Sequence, residues 1–310
     1  MLKINFRKHL SATHFPSFSL GIIFTLFLLL IMNFSYSDSG LLSVEFPQDY
    51  KISSPLIPNE LTFAGERIPI EDDDVKEIFE REFIVNTYFH SSTLFSLKRA
   101  PRWFPVIQPI LAKYNIPDDF KYIVMVESNF TNVVSPKNAV GFWQLLKSSA
   151  ESFGLEVNDE VDERYHVEKS TEAACKYLLD AYNRFGSWTF AAASYNMGIG
   201  GINRQLDKQR ETKFFNLLLN EETTRYIGRI VSMKYIYQNP SNYGYKISPD
   251  DVYKPIGFKT VVIADSIMSW TNFAKANETN YKTLKKLNPW LRDNKLTNKK
   301  KYIYQIKLPD

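Results

Sequence analysis

A helical period of apolar residues through residues 72–238 constrains the fold of this chain more than any other feature. The period is clearest over residues 168–185, where apolar positions recur three and four residues apart and Gly186 is placed to end the helix. This stripe consists of Ala174, Tyr177, Leu178, Ala181, Tyr182 and Phe185. Further helices are predicted over residues 188–195 and 222–237. The whole segment is expected to form one compact helical domain.

Three more helices are predicted upstream of this stripe. Residues 72–97 carry apolar residues and one carboxylate at helical steps: Val75, Ile78, Phe79, Glu82 and Phe83. A second helix is expected to begin at Pro101 and to end near Tyr114, and a third to begin at Pro117. Proline suits a first helical position because the amide hydrogen that it lacks would have no partner there.

The pattern changes near residue 240, where proline and glycine cluster. Beyond that point come a short β-like run, two short helical patterns and an alternating run that is typical of a half-buried strand. They occupy residues 259–263, 267–276, 281–287 and 302–308. The order β-α-α-β predicts a small separate α+β module over residues 258–310, after a helical domain of residues 72–240.

Residues 1–71 precede the helical domain and differ from it in composition. Three basic residues and an apolar run over residues 20–32 indicate an export signal, since a bilayer span needs about 20 apolar residues. Residues 1–34 are therefore expected to be a signal peptide or an N-terminal anchor, with membrane association through residues 15–34 in the second case. Residues 35–71 contain four prolines and no sustained period, which indicates a linker or an extended segment. The predicted location is the periplasm or the cell envelope.

Charge and cysteine usage exclude several classes of function. The formal net charge is +4, and it falls to +1 without Lys3, Arg7 and Lys8 of the leader, so no nucleic-acid partner is indicated. Cys175 is the only cysteine and lies in a helical stripe, which predicts a packed thiol. The four histidines are scattered, so neither a metal site nor a cofactor is expected.

Glu127 lies on an apolar helical face. Phe120, Ile123, Val124 and Glu127 fall at i, i+3, i+4 and i+7. A carboxylate in that position costs several kcal/mol if it is left charged and unpaired. Two interpretations follow from the pattern alone: a buried ion pair, or a carboxyl group with a raised pKa that serves as a general acid.

Four motifs follow one another in this part of the chain: Glu127-Ser128-x-Phe130, Gly141-Phe142-Trp143-Gln144, Ala193-Ser194-Tyr195-Asn196-Met197-Gly198 and Glu222-Thr223-x-x-Tyr226-Ile227. In order and spacing they resemble the motifs of the soluble lytic transglycosylase domain, and of the membrane-bound murein transglycosylase D group in particular. The likeness covers roughly residues 75–240. It implies a mainly α protein with a lysozyme-like helical catalytic domain that acts on peptidoglycan.

The resemblance also implies a reaction and its residues. Glu127 would be the single general acid and base that cleaves the β-1,4 bond between N-acetylmuramic acid and N-acetylglucosamine and forms a 1,6-anhydromuramoyl product. The acetamido group of the substrate would take the place of a second carboxylate. Ser128, Gln144, Tyr195, Asn196 and Tyr226 would bind substrate. Phe142 stands where the family commonly has an aliphatic residue. Met197 stands where a small residue is common and fills more volume, so cleft width or subsite preference can differ.

The tail resembles a LysM peptidoglycan-binding module. The likeness is carried by Thr271-x-Phe273-Ala274-x-x-Asn277, Leu284-x-x-Leu287-Asn288-Pro289 and Ile306-Lys307-Leu308-Pro309. Its early motif is degenerate, so the module either binds glycan or caps the catalytic domain. Asp162-Glu163-Arg164 also resembles a family element and is interpreted as a structural ion-pair cluster.

Two rival functions remain open on sequence alone. A hydrolytic muramidase would use the same Glu127 with a captured water, and a non-catalytic wall-binding protein would keep the cleft without the chemistry. The sequence carries no signal for an oligomeric state.

Overall fold

The computed structural model describes residues 52–310, and the predicted leader of residues 1–34 lies outside them. Eight helices precede the C-terminal module in the described part of the chain. They are α1 (Asp73–Tyr88), α2 (His90–Lys113), α3 (Tyr122–Ser128), α4 (Lys147–Ser152), α5 (Val167–Phe185), α6 (Trp188–Met197), α7 (Ile199–Gln209) and α8 (Glu221–Gln238). Within residues 52–310, no helix is long and apolar enough to cross a bilayer.

The predicted helices are largely confirmed, with one correction near the start. The first helix ends at Tyr88, and α2 then runs on through Pro101, which was wrongly expected to begin a helix. Pro105 and Pro109 also lie inside α2, four residues apart on its exposed side. A proline ring clashes with the carbonyl four residues earlier, and on the solvent side water can satisfy the freed carbonyl groups. Pro117 precedes a 3-10 turn, Asp118–Lys121, that leads into α3.

A β-hairpin lies within the segment that was expected to be a linker. Strands β1 (Leu61–Phe63) and β2 (Glu66–Ile68) pair antiparallel, with Leu61 opposite Ile68. Ala64 and Gly65 both have positive φ, at 51° and 81°, as a tight two-residue hairpin turn requires. The apolar side chains of the hairpin are buried in the helical core.

The short helix α3 lies in the centre of the helical domain. Ile123 and Val124 are fully buried, and α3 packs against α8, which in turn packs against α1 and α6. Cys175 on α5 is buried as predicted, and burial raises its pKa to about 12, so the thiol stays protonated. Glu127, near the end of α3, therefore follows residues that are fixed in the apolar core.

The C-terminal module has the predicted β-α-α-β order. Strands β3 (Lys259–Ile263) and β4 (Tyr304–Leu308) pair antiparallel, and helices α9 (Trp270–Ala276) and α10 (Tyr281–Leu287) lie between them in the chain. Its core is not independent, because Val140, Val161 and Tyr165 of the helical domain belong to the same buried cluster. Backbone hydrogen bonds join the two parts, from Asp162 N to Trp290 O (2.9 Å) and from Arg292 N to Glu160 O (2.8 Å). The module thus packs as a cap on the helical domain.

Candidate active site

Glu127 lies in the last turn of α3, where the chain turns sharply away. Asn129 and Phe130 both adopt left-handed backbone conformations, with φ of 51° and 53°. Asparagine tolerates this conformation better than most residues, and the Asn129 amide hydrogen caps the helix on Met125 O. The Asn129 side chain donates to Ser92 O (3.0 Å), which ties the turn to α2. These contacts fix the direction in which the Glu127 side chain leaves the helix.

The Glu127 carboxyl is partly buried and has one close partner. Tyr226 on α8 donates its phenolic hydrogen to Glu127 Oε1 at 2.5 Å. Burial raises the pKa of Glu127 to about 7, and the hydrogen bond from Tyr226 offsets part of that effect. Burial and the Glu127 charge together raise the pKa of Tyr226 well above its ordinary value, so Tyr226 remains a donor. Glu127 can therefore hold and release a proton near neutral pH.

Two further groups on α8 act on Glu127 through space. The like charge of Glu222 raises the pKa of Glu127, and the positive charge of Arg229 lowers it. In residues 52–310, Arg229 pairs with Glu82, and no basic group lies within 4.0 Å of the Glu127 carboxyl. A buried ion pair, the first interpretation of the sequence pattern, is thus not what the structure contains at Glu127.

Ser128 and Gln144 each bond to the backbone of the loop that follows α3. The Ser128 hydroxyl is buried and lies 2.8 Å from Phe142 O and 3.2 Å from Val124 O, so it ties the end of α3 to the Gly141-Phe142-Trp143-Gln144 segment. Gln144 Nε2 donates to Gly141 O (2.8 Å) and Val133 O (3.1 Å). Both side chains hold the loop beside Glu127 in shape.

Tyr195 and Asn196 approach from the end of α6. The Tyr195 hydroxyl donates to Trp143 O (2.6 Å), and Glu127 is one of the charges that raise its pKa, after burial. Asn196 donates to Glu222 Oε1 (2.9 Å) and accepts from the Thr223 hydroxyl (2.7 Å). Of the predicted site residues, Tyr226 contacts Glu127 directly, Ser128 and Tyr195 bond to the loop of residues 141–144, Gln144 bonds within that loop, and Asn196 bonds to α8.

Gly141 is the only glycine in the loop of residues 129–146, and its surroundings leave no room for a Cβ. Its φ is +80°, and a Cβ added there would come 2.1 Å from the backbone oxygen of Arg164. The Arg164 side chain is paired with Asp162 at 2.7 Å and also donates to Asn138 O and Leu145 O. The predicted ion-pair cluster is confirmed. The loop lies against the backbone of Arg164 because Gly141 has no Cβ.

The two departures from the family pattern have different surroundings. Phe142 is buried and packs edge-on against Trp103, with ring centroids 4.8 Å apart. Its ring belongs to the hydrophobic core and also borders a cavity that Trp103 lines. The Met197 side chain covers Gly201 at the start of α7, where a Cβ would meet Met197 Cγ at 2.5 Å. An effect of Met197 on cleft width stays a prediction.

Glu82 is a buried charged residue to which the sequence interpretation assigned no role. It occupies the apolar stripe of α1, is 1% exposed and contacts arginines of α8. The signal was present, because Glu82 interrupts an apolar helical face just as Glu127 does. Only the motif series distinguished Glu127 from it.

Glu127→Gln is expected to stabilise the folded chain at alkaline pH. Between pH 4.5, the ordinary value, and about pH 7, the folded protein keeps a proton that the unfolded chain has released. The free energy of unfolding therefore decreases as pH rises through this window, by up to about 3 kcal/mol. Glutamine does not ionise and escapes this loss. Urea unfolding of both proteins should show the difference at pH 8 and little at pH 4; equal stability at pH 8 would contradict the raised pKa.

Comparison with known proteins matches two parts of the chain to families. The transglycosylase SLT domain matches residues 105–218, and the soluble lytic transglycosylase C-terminal LysM-like domain matches residues 259–310. The chain is 28% identical over 198 residues to membrane-bound lytic murein transglycosylase D of Escherichia coli K12, and equally so to that of E. coli O6:H1. The alignment covers 61% of this chain and 43% of each relative, so the match spans less than half the length of these relatives.

Proposed function

We propose that this chain, which carries a transglycosylase SLT domain followed by a LysM-like domain, is a lytic transglycosylase of the bacterial cell wall. It would cleave the β-1,4 bond between N-acetylmuramic acid and N-acetylglucosamine in peptidoglycan. The observation that supports this most directly is the Glu127 carboxyl with its pKa of about 7, hydrogen-bonded to Tyr226. A group that is half protonated near pH 7 suits both proton donation and proton removal.

Glu127 acts first as an acid in the proposed reaction. It donates its proton to the glycosidic oxygen, and the C1–O bond of the muramic residue breaks as N-acetylglucosamine leaves with a free 4-hydroxyl group. The carbonyl oxygen of the muramic 2-acetamido group bonds to C1 and takes up the positive charge. Such substrate assistance replaces a second carboxylate; Glu222, the other carboxylate that acts on Glu127, is hydrogen-bonded to Asn196.

Glu127 acts next as a base. Its carboxylate removes the proton of the muramic C6 hydroxyl, O6 bonds to C1, and the bond from the acetamido oxygen to C1 breaks. The 1,6-anhydro ring closes, Glu127 regains its proton, and no water is consumed. Tyr226 stabilises the carboxylate that forms between the two steps, because it donates to Oε1.

The other predicted site residues receive supporting roles. Asn196 and Tyr195 are only partly buried, so we propose that they offer polar groups to the glycan at the end of α6. The Gln144 side-chain amide is also proposed to bind substrate, in addition to its hydrogen bond to Gly141 O. Ser128 is also proposed to bind substrate, at the point where its hydroxyl contacts Phe142 O of the loop.

The proposed location follows from the same function. An enzyme that cleaves peptidoglycan must reach the wall, so we propose that the chain acts in the periplasm or envelope after export through residues 1–34. We also propose that the LysM-like domain assists attachment to glycan strands, in addition to its packing against residues 140, 161 and 165.

Product analysis tests the proposed reaction. The full chain is incubated with purified sacculi, and the released muropeptides are examined by mass spectrometry. We expect 1,6-anhydromuropeptides, each one water lighter than the product of hydrolysis, because O6 rather than water attacks C1. A hydrolase with the same Glu127 would release only reducing-end products, and that result would exclude a transglycosylase.

A further inference from the structure

Glu82 is a buried carboxylate on α1, outside the residues that the SLT family model matches. Its side chain is 1% exposed and lies among the apolar residues Val75, Phe79 and Phe83 of the same helix. A carboxylate in such surroundings costs several kcal/mol unless other charges compensate for it. The groups that compensate for Glu82 therefore indicate what it does.

Three arginines surround the Glu82 carboxylate. Arg81 and Arg225 both approach Oε1, with Arg225 Nε at 2.9 Å, and Arg229 Nε lies 3.5 Å from Oε2. Arg225 also pairs with Glu221, which is exposed. Arg229, in contrast, has only Glu82 among its ion-pair partners in residues 52–310.

The α8 helix carries two of these arginines and also Tyr226, the hydrogen-bond partner of Glu127. Arg225 and Arg229 are four residues apart and share one side of α8, and Arg229 is three residues beyond Tyr226, which contacts Glu127. Arg229 thus lies between the side of α8 that faces Glu82 and the side that faces Glu127. Gly228 lets α1 come close, since a Cβ there would meet Glu82 Cγ at 3.2 Å.

We propose that Glu82 is a positioning residue of the active site: it neutralises Arg229 from the far side of α8, so that the charge of this arginine does not hold Glu127 in its ionised form. This inference deepens the proposed function and rests on Glu127 acting as the acid. Without Glu82, the guanidinium charge of Arg229 would act on Glu127 with less compensation and would favour the carboxylate.

The other charged groups around Glu127 do not replace Glu82. Apart from the effect of Arg229, Glu222 raises the pKa of Glu127 by its like charge, and the hydrogen bond from Tyr226 lowers it. The charges of the adjacent 3-10 turn are paired at the opposite end of α3. These pairs are Lys121–Asp118 and Lys234–Asp119. Glu82 is therefore the carboxylate that balances Arg229.

The pKa of Glu127 in a Glu82→Gln variant tests the proposal directly. The full chain is labelled with 13Cδ-glutamate, and the Glu127 signal is assigned by its absence in Glu127→Gln. We expect the pKa to fall by about one pH unit in Glu82→Gln. At pH 7 the protonated fraction would then drop about fivefold, and kcat/KM on sacculi would drop with it, with little change at pH 5. Glu82→Asp, which keeps the charge, should restore most of the pKa.

Two further variants exclude a merely structural role. Glu80→Gln removes a carboxylate from the same helix, where its side chain is 44% exposed, and should leave the pKa of Glu127 unchanged. The double variant Glu82→Gln/Arg229→Gln should return that pKa towards the wild-type value, because the uncompensated charge is gone. An unchanged Glu127 pKa in Glu82→Gln overturns the proposal. If that variant does not fold, Arg229→Gln is compared with the double variant: a higher Glu127 pKa in Arg229→Gln, where the Glu82 charge remains, supports the proposal, and equal pKa values overturn it.

The pKa measurement separates this inference from the proposed function. A lowered Glu127 pKa in Glu82→Gln, in a chain that releases no anhydro product, would refute the function and keep the charge relation. If the wild-type chain releases anhydro product but Glu82→Gln leaves the Glu127 pKa unchanged, the proposed function stands and the role of Glu82 is refuted.

Discussion

Glu127→Gln is expected to abolish wall clearing by this chain while binding to sacculi persists. Glutamine keeps the shape and can still accept the hydrogen bond from Tyr226, but it has no proton to donate and cannot remove one. Both proposed steps lose their acid or base, so the rate should fall by at least about 10³-fold. A zymogram with embedded sacculi measures clearing, and co-sedimentation with sacculi measures binding.

The matched control for this experiment is Glu80→Gln, an identical chemical change on α1. Its side chain is 44% exposed, and its nearest ion-pair partner, Lys76, is 3.9 Å away. Clearing should therefore stay at the wild-type level. Clearing by Glu127→Gln at the level of this control would refute the role of Glu127, and loss of sacculus binding would instead indicate a damaged fold.

Gly141→Ala is expected to produce the largest loss of stability among single methyl additions to this loop. The added carbon would lie 2.1 Å from Arg164 O, a backbone atom that no rotamer change can move, and φ of +80° is itself unfavourable for alanine. We expect the free energy of unfolding to fall by about 4 kcal/mol. Urea unfolding of the full chain measures the change, and wall clearing should fall as the loop beside Glu127 shifts.

Gly65→Ala separates the clash from the backbone strain. Gly65 has nearly the same φ, 81°, but a Cβ there would have no neighbour within 4 Å. This variant should lose only about 1 kcal/mol, the cost of the left-handed conformation. Equal losses in the two variants would show that the approach of Gly141 to Arg164 does not limit the loop.

Local patterns predicted most of the helical domain and the β-α-α-β order of the tail. Helix α5 and its end at Gly186 follow from apolar spacing and a glycine with φ of 65°, both of which are properties of neighbouring residues. The break between α1 and α2 was misplaced because Pro101 carries the same local signal at the start of a helix as within one. The hairpin at residues 61–68 was missed because each strand has only three residues.

The sequence by itself determined which carboxyl belongs to the motif series and that it lies on an apolar helical face. Only the tertiary structure decided what surrounds that carboxyl. Glu127 and Tyr226 are 99 residues apart in the chain, and Glu82 reaches Arg229 from another helix, so no local period encodes either contact. The packing of α1 and α3 on α8 brings them together. That packing buries two carboxyl groups of the same type but pairs only Glu82 with arginines, which leaves Glu127 free to carry a proton.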